Sequence, residues 1–243
     1  MLLCLIAPPE AALLHARAAT APRAALRMPS VRARADNLLL PRRGPVPILP
    51  ELSDQDVRKL SEGKFLQRQL LDGPDGSGFA VQEVRAGEEE AWRCISDFDT
   101  YAARVKTVRT VAPYVPESDG RFGELAPGES CYDFLVSRIR LPLAVRFTKH
   151  EPDKYVSWVL DRPSWILRES TGFWHVQPVP ERQGYVRIWF CVAVRLTARV
   201  PGFVVSLVSR VGLRKACFWV RRALEGDDGG DELPIEEPES LLR

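Results

Sequence analysis

The chain has 243 residues, with 34 basic and 32 acidic side chains and a formal net charge of +2. Seven arginines but only two acids lie in residues 1–50, which leaves 27 basic and 30 acidic side chains for the rest. A basic leader of net charge +5 therefore precedes a body of net charge −3, and such a body lacks the concentrated basic surface that nucleic-acid binding requires.

Residues 1–35 have the composition of an organelle transit peptide, because they are rich in Ala and Arg and almost free of acids. A secretory signal fits less well, since the apolar start is short and no basic residue precedes it. The leader contains Ala, Pro and Ser, so we expect import into the chloroplast, with the mitochondrion second, and processing near residues 31–35. A disordered basic tail is the alternative. The four prolines of residues 36–52 predict an extended linker.

The sequence predicts no transmembrane segment and no metal or cofactor site. The most apolar run, residues 200–213, is shorter than the ~18 residues of a membrane-spanning helix and is interrupted by Arg210. The five cysteines form no CxxC pair, which argues against a zinc site or a redox motif. We interpret the cysteines of the body as packing residues.

The elements follow in chain order. An N-terminal extension, residues 53–76, begins with a helix capped by Ser53 at 53–60. Two more short helices are predicted at 88–95 and 98–104, the first opened by three glutamates. Alternating apolar residues between turn signals predict a series of antiparallel strands, at 65–71, 79–85, 106–116, 130–140, 143–147, 155–160, 167–179 and 185–199. Gly172 is expected to mark a bulge or bend.

The strand at 185–199 leads directly into the longest helix, at 201–224. In the strand, apolar residues occupy the even positions, so we expect its odd positions, with Trp189 and Cys191, to face water. The inner face of the helix is small at Ser209, Gly212 and Ala216, which fits either close packing on the sheet or room for a ligand. Residues 225–243 are rich in glycine and acids and predict a disordered tail.

Four segments resemble a known group of proteins. They are VQEVRA at 81–86, EAWRCISDFDTY at 90–101, GFWHVQP at 172–178 and PGFV at 201–204. Their order resembles START-like proteins, and more narrowly the polyketide cyclase/dehydrase and lipid-transport group (SRPBCC) that includes the coenzyme Q-binding START domain. The likeness covers about 77–224, and the extension before it looks like an addition of plastid members. The resemblance implies an α+β helix-grip fold (START/Bet v 1-like), in which a curved antiparallel sheet wraps a long C-terminal helix.

The first functional hypothesis is non-enzymatic binding, or transport, of a hydrophobic small molecule or lipid such as a quinone or isoprenoid. The cavity would lie between the sheet and the C-terminal helix. Each candidate lining residue, taken alone, also fits an ordinary core. The candidates are Tyr101, Phe134, Trp158, Trp174, Ile188, Phe190, Val192, Val205, Val208 and Gly212.

Two alternatives remain open. A cyclase or dehydratase would use the same cavity with a general acid or base, for which His150, His175 and Asp133 are the candidates. We expect His175 to be a surface residue, since it alternates with Trp174, and we find no evident partner for Asp133. Peripheral membrane contact, or interaction with another protein, is the other alternative. It would use the basic helix face formed by Arg210, Arg214, Arg221 and Arg222.

Overall fold

The computed structural model describes residues 49–72, 75–118, 120–136, 140–197, 213 and 216–226. Outside these residues lie the predicted transit peptide, most of the predicted linker, nearly all of the acidic tail and the first part of the helix predicted at 201–224.

In the described part of the chain, eight strands form one antiparallel sheet in the order β1-β2-β8-β7-β6-β5-β4-β3. The strands are β1 Leu66–Asp72, β2 Asp75–Arg85, β3 Val108–Tyr114, β4 Glu129–Val136, β5 Leu141–His150, β6 Tyr155–Arg162, β7 Leu167–Pro178 and β8 Tyr185–Leu196. Because β8 pairs with both β2 and β7, the last strand of the chain joins the first hairpin to the meander of β3 to β7.

The helices are short except at the C-terminus. Helix α1 is Asp54–Ser61, α2 is Glu88–Ser96 and α3 is Tyr101–Arg104, the last preceded by a 3-10 turn at Phe98–Thr100. Helix α4 contains residues 213 and 216–225. Ser53 and Asp56 form a reciprocal capping box at the start of α1, as the cap prediction requires. The observed element order confirms the predicted α+β class.

Helix α4 packs on the face of the sheet that also carries α2, which we call the inner face. The backbone carbonyl of Cys217 accepts a hydrogen bond of 2.8 Å from Nε2 of Gln82 on β2. The ring of Trp219 lies 6.3 Å from that of Trp174 on β7 and 5.0 Å from that of Tyr101 on α3. The sheet, the short helices and α4 therefore enclose one apolar core.

The opposite, outer face of β2 and β8 is not exposed to water, and the prediction that Trp189 and Cys191 face solvent is wrong. Trp189 is 2% exposed and Cys191 is 4% exposed. Trp189 clusters with Val81 and with Leu60 of α1, and its Nε1 donates to Oε1 of Gln177 at 3.2 Å. The extension before β2 thus covers the outer face with apolar side chains. Successive residues of β8 therefore point alternately into an inner core and an outer core.

Farther along the outer face, a buried arginine holds the segment between β3 and β4. Arg146 is 1% exposed and pairs with Glu129 at 3.4 Å and with Asp161 at 3.3 Å. It also donates to the backbone carbonyls of residues 122–124. Two carboxylates and three carbonyls therefore compensate the charge that burial would otherwise make costly.

Candidate functional site

Seven of the ten predicted lining residues lie in the described part of the chain, and all seven belong to the inner-face core. They are Tyr101, Phe134, Trp158, Trp174, Ile188, Phe190 and Val192. The other three, Val205, Val208 and Gly212, lie outside the described residues. The sheet therefore brings together side chains that the sequence distributes over α3 and four different strands.

The aromatic members of this set form one continuous layer with Trp219 of α4, which we call the aromatic layer: Tyr101, Phe134, Trp158, Trp174, Phe190 and Trp219. Phe190 stacks on Trp158 at 5.1 Å between ring centroids and meets Trp174 at 4.5 Å. Trp219 links this group to Tyr101, whose hydroxyl donates to the carbonyl of Ile95 at 2.5 Å. Burial raises the pKa of Tyr101 well above its ordinary value, so its proton stays in that bond. The layer presents ring faces and edges, which suit apolar ligands.

Burial along the inner face is uneven. Near α2, the inward residues of β2 and β8 are sealed: Val84 is fully buried and Ile188 is 1% exposed. Farther along β8, Phe190 and Val192 also point inward, yet both remain partly exposed. Val136 on β4 and Leu143 on β5, at the same end of the sheet, are likewise only partly buried. We call these four residues the open end of the inner face.

At two glycines of the open end, neighbouring groups fill the space that a side chain would take. On either side of Val192, the paired strands present Gly78 and Gly172. A Cβ atom at Gly172 would overlap the Trp158 ring and the carbonyl oxygen of Cys191, and one at Gly78 would lie 2.8 Å from Cδ1 of Leu213. Of the predicted bulge or bend at Gly172, the bulge is absent, since the β7–β8 register is regular there and shifts only between Leu167 and Glu169. Gly172 instead makes room for an indole ring.

Sequence reasoning missed Gln82 as an inner-face residue. It is 1% exposed and stands between Ala80 and Val84 on the apolar side of β2. Its position in the alternating pattern of β2 could have revealed it, because an amide at an inward position of an otherwise apolar strand must find hydrogen-bond partners. Its partner is a backbone carbonyl 135 residues away, which no local pattern reveals.

The residues considered for acid–base chemistry do not meet in the aromatic layer. Asp133 pairs with Arg162 at 2.7 Å on the exposed side of the sheet, and the ring of His150 stacks on Tyr155 at 4.9 Å. His175 alternates with Trp174 as expected, but it is 8% exposed, so the prediction of a surface histidine is wrong. Its strand pairs place it between Tyr155 and Trp189, where the outer core covers it.

Partial desolvation of His150 and burial of His175 predict a loss of stability in mild acid. Desolvation lowers the pKa of both His150 and His175 below the ordinary 6.5. The unfolded chain therefore takes up protons first as the pH falls, and stability that is complete above about pH 7 declines below about 6.5. Urea midpoints measured between pH 7.5 and 5.5 should decrease, and the decrease should shrink in a variant with His150→Gln and His175→Gln. An equal decrease in that variant would contradict this assignment.

One arginine of the proposed membrane-contact face is engaged inside the protein. Arg221 donates to the carbonyl of Gly63 at 2.7 Å and to that of Glu83 at 2.9 Å. Burial lowers the pKa of Arg221 from its ordinary value. The residue ties α4 to the turn before β1 and to β2, so it is not free for lipid headgroups. Arg210 and Arg214 lie outside the described residues. In the described part of the chain, no helix has both the length and the apolarity to span a bilayer.

The four described cysteines agree with the packing interpretation. Cys94, Cys131, Cys191 and Cys217 are free thiols and all are buried. Burial raises the pKa of each thiol, which keeps it protonated and unreactive near neutral pH.

Comparison with solved structures identifies the fold. The Zhui aromatase/cyclase from Streptomyces sp. R1128 superposes with a TM-score of 0.51 at 11% identity, over 67% of this chain and 96% of that one. The chain has the START-like helix-grip fold. A START superfamily protein from Mycobacterium smegmatis superposes with a TM-score of 0.48 at 14% identity, over 66% of this chain and 97% of that one.

A STAR-related lipid transfer protein from Xanthomonas axonopodis gives a TM-score of 0.49 at 10% identity, over 66% of this chain and 92% of that one. Neither the family models nor the curated proteins contain a match to this sequence. The START-like fold is therefore established by three-dimensional shape, and at these identities the likeness concerns the fold alone.

Proposed function

We propose that this START-like protein binds a hydrophobic small molecule or lipid, such as an isoprenoid or a quinone, between its sheet and α4. The observation that carries the proposal is the open end of the inner face. Phe190 and Val192 keep part of their apolar surface accessible although they point toward the helix. Accessible apolar surface inside a fold favours an apolar ligand, because covering it from water contributes about 25 cal/mol per Å².

The aromatic layer supports the same function. Trp158, Trp174 and Phe190 form a contiguous wall on which flat or elongated apolar groups can pack. One neighbour of this fold is described as a lipid transfer protein, which fits a carrier of apolar molecules.

Catalysis in the same cavity is the second candidate, and the favouring observation is that a neighbour in fold is an aromatase/cyclase. The described geometry favours binding over catalysis. Asp133 is held by Arg162 in an exposed pair. His175 is buried on the outer face beside Trp189, and desolvation lowers its pKa. Neither is directed toward the aromatic layer, where a substrate would contact the protein.

Filling the open end tests the binding proposal. In the variant Val192→Trp, the added indole would occupy the space between Trp158 and Leu213. We expect the affinity for a long-chain apolar probe such as farnesol to fall at least about tenfold, because the probe would lose much of its apolar contact. Native mass spectrometry of the full chain measures the bound fraction at several probe concentrations.

Val57→Trp is the matched control, since Val57 is 37% exposed on α1 and lies away from the inner face. This variant should bind the probe as the unmodified protein does. Equal binding by the Val192→Trp variant, or no binding of any apolar probe by the unmodified protein, would contradict the proposed function.

A further inference from the structure

Among the described residues, the inner face contains one buried side-chain amide of which only the NH₂ group has a hydrogen-bond partner. Gln82 is 1% exposed on β2 and pairs across the sheet with Ile188 of β8. Its Nε2 donates to the backbone carbonyl of Cys217 at 2.8 Å. Its Oε1 is buried and has no hydrogen-bond partner. A buried polar atom without a hydrogen bond lowers the free energy of unfolding, and buried polar atoms in native proteins normally have a partner.

The chemistry of the contact fixes which end of the amide is free. A backbone carbonyl is only an acceptor, so the atom facing Cys217 must be the NH₂ group, and rotating the amide would place two oxygens against each other. The unpaired atom is therefore an acceptor. A molecule that satisfies it must bring a hydrogen-bond donor.

The position of Gln82 relates this acceptor to the ligand space. On β2 the next inward residue is Ala80, which pairs with Phe190, and the one after is Gly78, which pairs with Val192. Phe190 and Val192 are partly exposed, whereas Ile188 beside Gln82 is sealed. Gln82 thus stands at the boundary where the open end meets the closed core. A ligand inserted from the open end would reach Gln82 with its leading group.

We propose that Oε1 of Gln82 accepts a hydrogen bond from a hydroxyl group of the ligand. The inference rests on the proposed function and narrows its ligand class to apolar molecules that carry a donor, such as isoprenoid alcohols, sterol-like alcohols or quinols. Hydrocarbons have no polar group, and the oxygens of quinones are only acceptors. Both classes leave Oε1 unpaired and bind less tightly than the alcohols and quinols. Gln82 therefore determines specificity, while the aromatic layer supplies apolar contact.

A matched pair of probes tests this assignment. Farnesol and farnesyl methyl ether share one apolar skeleton, and the ether lacks the donor. We expect the full chain to bind the alcohol about tenfold more tightly than the ether, since a site built to pair a polar atom discriminates against an analogue that cannot pair it. In Gln82→Leu the ratio of the two dissociation constants should fall to about one. Titration followed by native mass spectrometry measures both constants.

Gln67→Leu provides the control, because Gln67 lies exposed on β1 and its replacement should leave the ratio unchanged. The ratio compares two probes on the same protein, so a general loss of stability in Gln82→Leu does not imitate the effect. The ratio of the unmodified protein is a second, independent measurement that needs no variant.

The outcomes separate the two proposals. A ratio near one in the unmodified protein overturns the role of Gln82 and leaves ligand binding intact, as expected if a buried water pairs with Oε1. A ratio that persists in Gln82→Leu also overturns it. Failure of both probes to bind the unmodified protein overturns the proposed function and this inference with it.

Discussion

Replacing Gly172 by alanine is expected to lower the free energy of unfolding by about 3 kcal/mol, at the upper end of the cost of overpacking a core. The added methyl group would overlap the Trp158 ring and the carbonyl oxygen of Cys191. The carbonyl belongs to the backbone of the central strand β8, which is paired on both sides and cannot withdraw. Urea denaturation followed by far-ultraviolet circular dichroism measures the change.

Gly87→Ala is the control for this experiment. A Cβ atom at Gly87 meets nothing within 4 Å, and the residue has an ordinary φ of −74° at the start of α2. Its replacement should cost less than about 1 kcal/mol, the range expected at a helix cap. If both variants lose the same small amount, then Trp158 does not pack over Gly172 and the described wall of the inner face is wrong.

Trp189→Ala is expected to lower the free energy of unfolding by about 4 kcal/mol, as is usual when a buried aromatic side chain is truncated. Trp189 is 2% exposed and packs between Val81 and Leu60 of α1, with the Phe79 ring 6.0 Å away. Its loss would leave a cavity between the sheet and the extension and would remove the hydrogen bond to Gln177. Chemical denaturation measures the stability change.

Trp165 provides a matched tryptophan for comparison. It is 58% exposed in the turn between β6 and β7, so Trp165→Ala should change stability by no more than about 0.5 kcal/mol. Limited proteolysis should also cut the Trp189→Ala protein earlier within residues 49–72. Equal stability of the two variants would mean that the extension does not cover the outer face.

The order of elements and the inner face were predictable because they depend on local patterns. Alternation in β8 placed Ile188 and Phe190 on one face. Trp158 and Trp174 were named as candidate lining residues, and the structure groups all four. The turn residues between the strands fixed a meander of hairpins, which leaves few topologies. The four segments that resemble START-like proteins indicated the helix-grip arrangement, and the likeness of the structure to the Zhui aromatase/cyclase confirms it.

The outer core was not predictable in the same way, because its partners are far apart in the chain. Trp189 and Cys191 occupy positions that alternation assigns to solvent, and only the fold brings Leu60 onto them. The same limit applies to Gly172, whose role depends on the rotamer of Trp158. For Gln82, the sequence shows an amide in a strand, whereas the unpaired oxygen follows from the contact with Cys217.

Predictions about residues outside the described part remain predictions. They include the transit peptide at 1–35, the chloroplast location and the contribution of Val205, Val208 and Gly212 to the cavity. These three residues lie outside the described part of the chain.

The central claim is that an apolar ligand lies between the inner face and α4, and a crystal structure with a brominated long-chain alcohol such as bromodecanol tests it most directly. Anomalous scattering locates the bromine without reference to the protein map. We predict that the bromine lies in contact with Phe190 and Val192, with the hydroxyl within hydrogen-bond distance of Gln82. A bromine on the outer face beside Trp189, or a solid interior with no bound alcohol, would contradict the account.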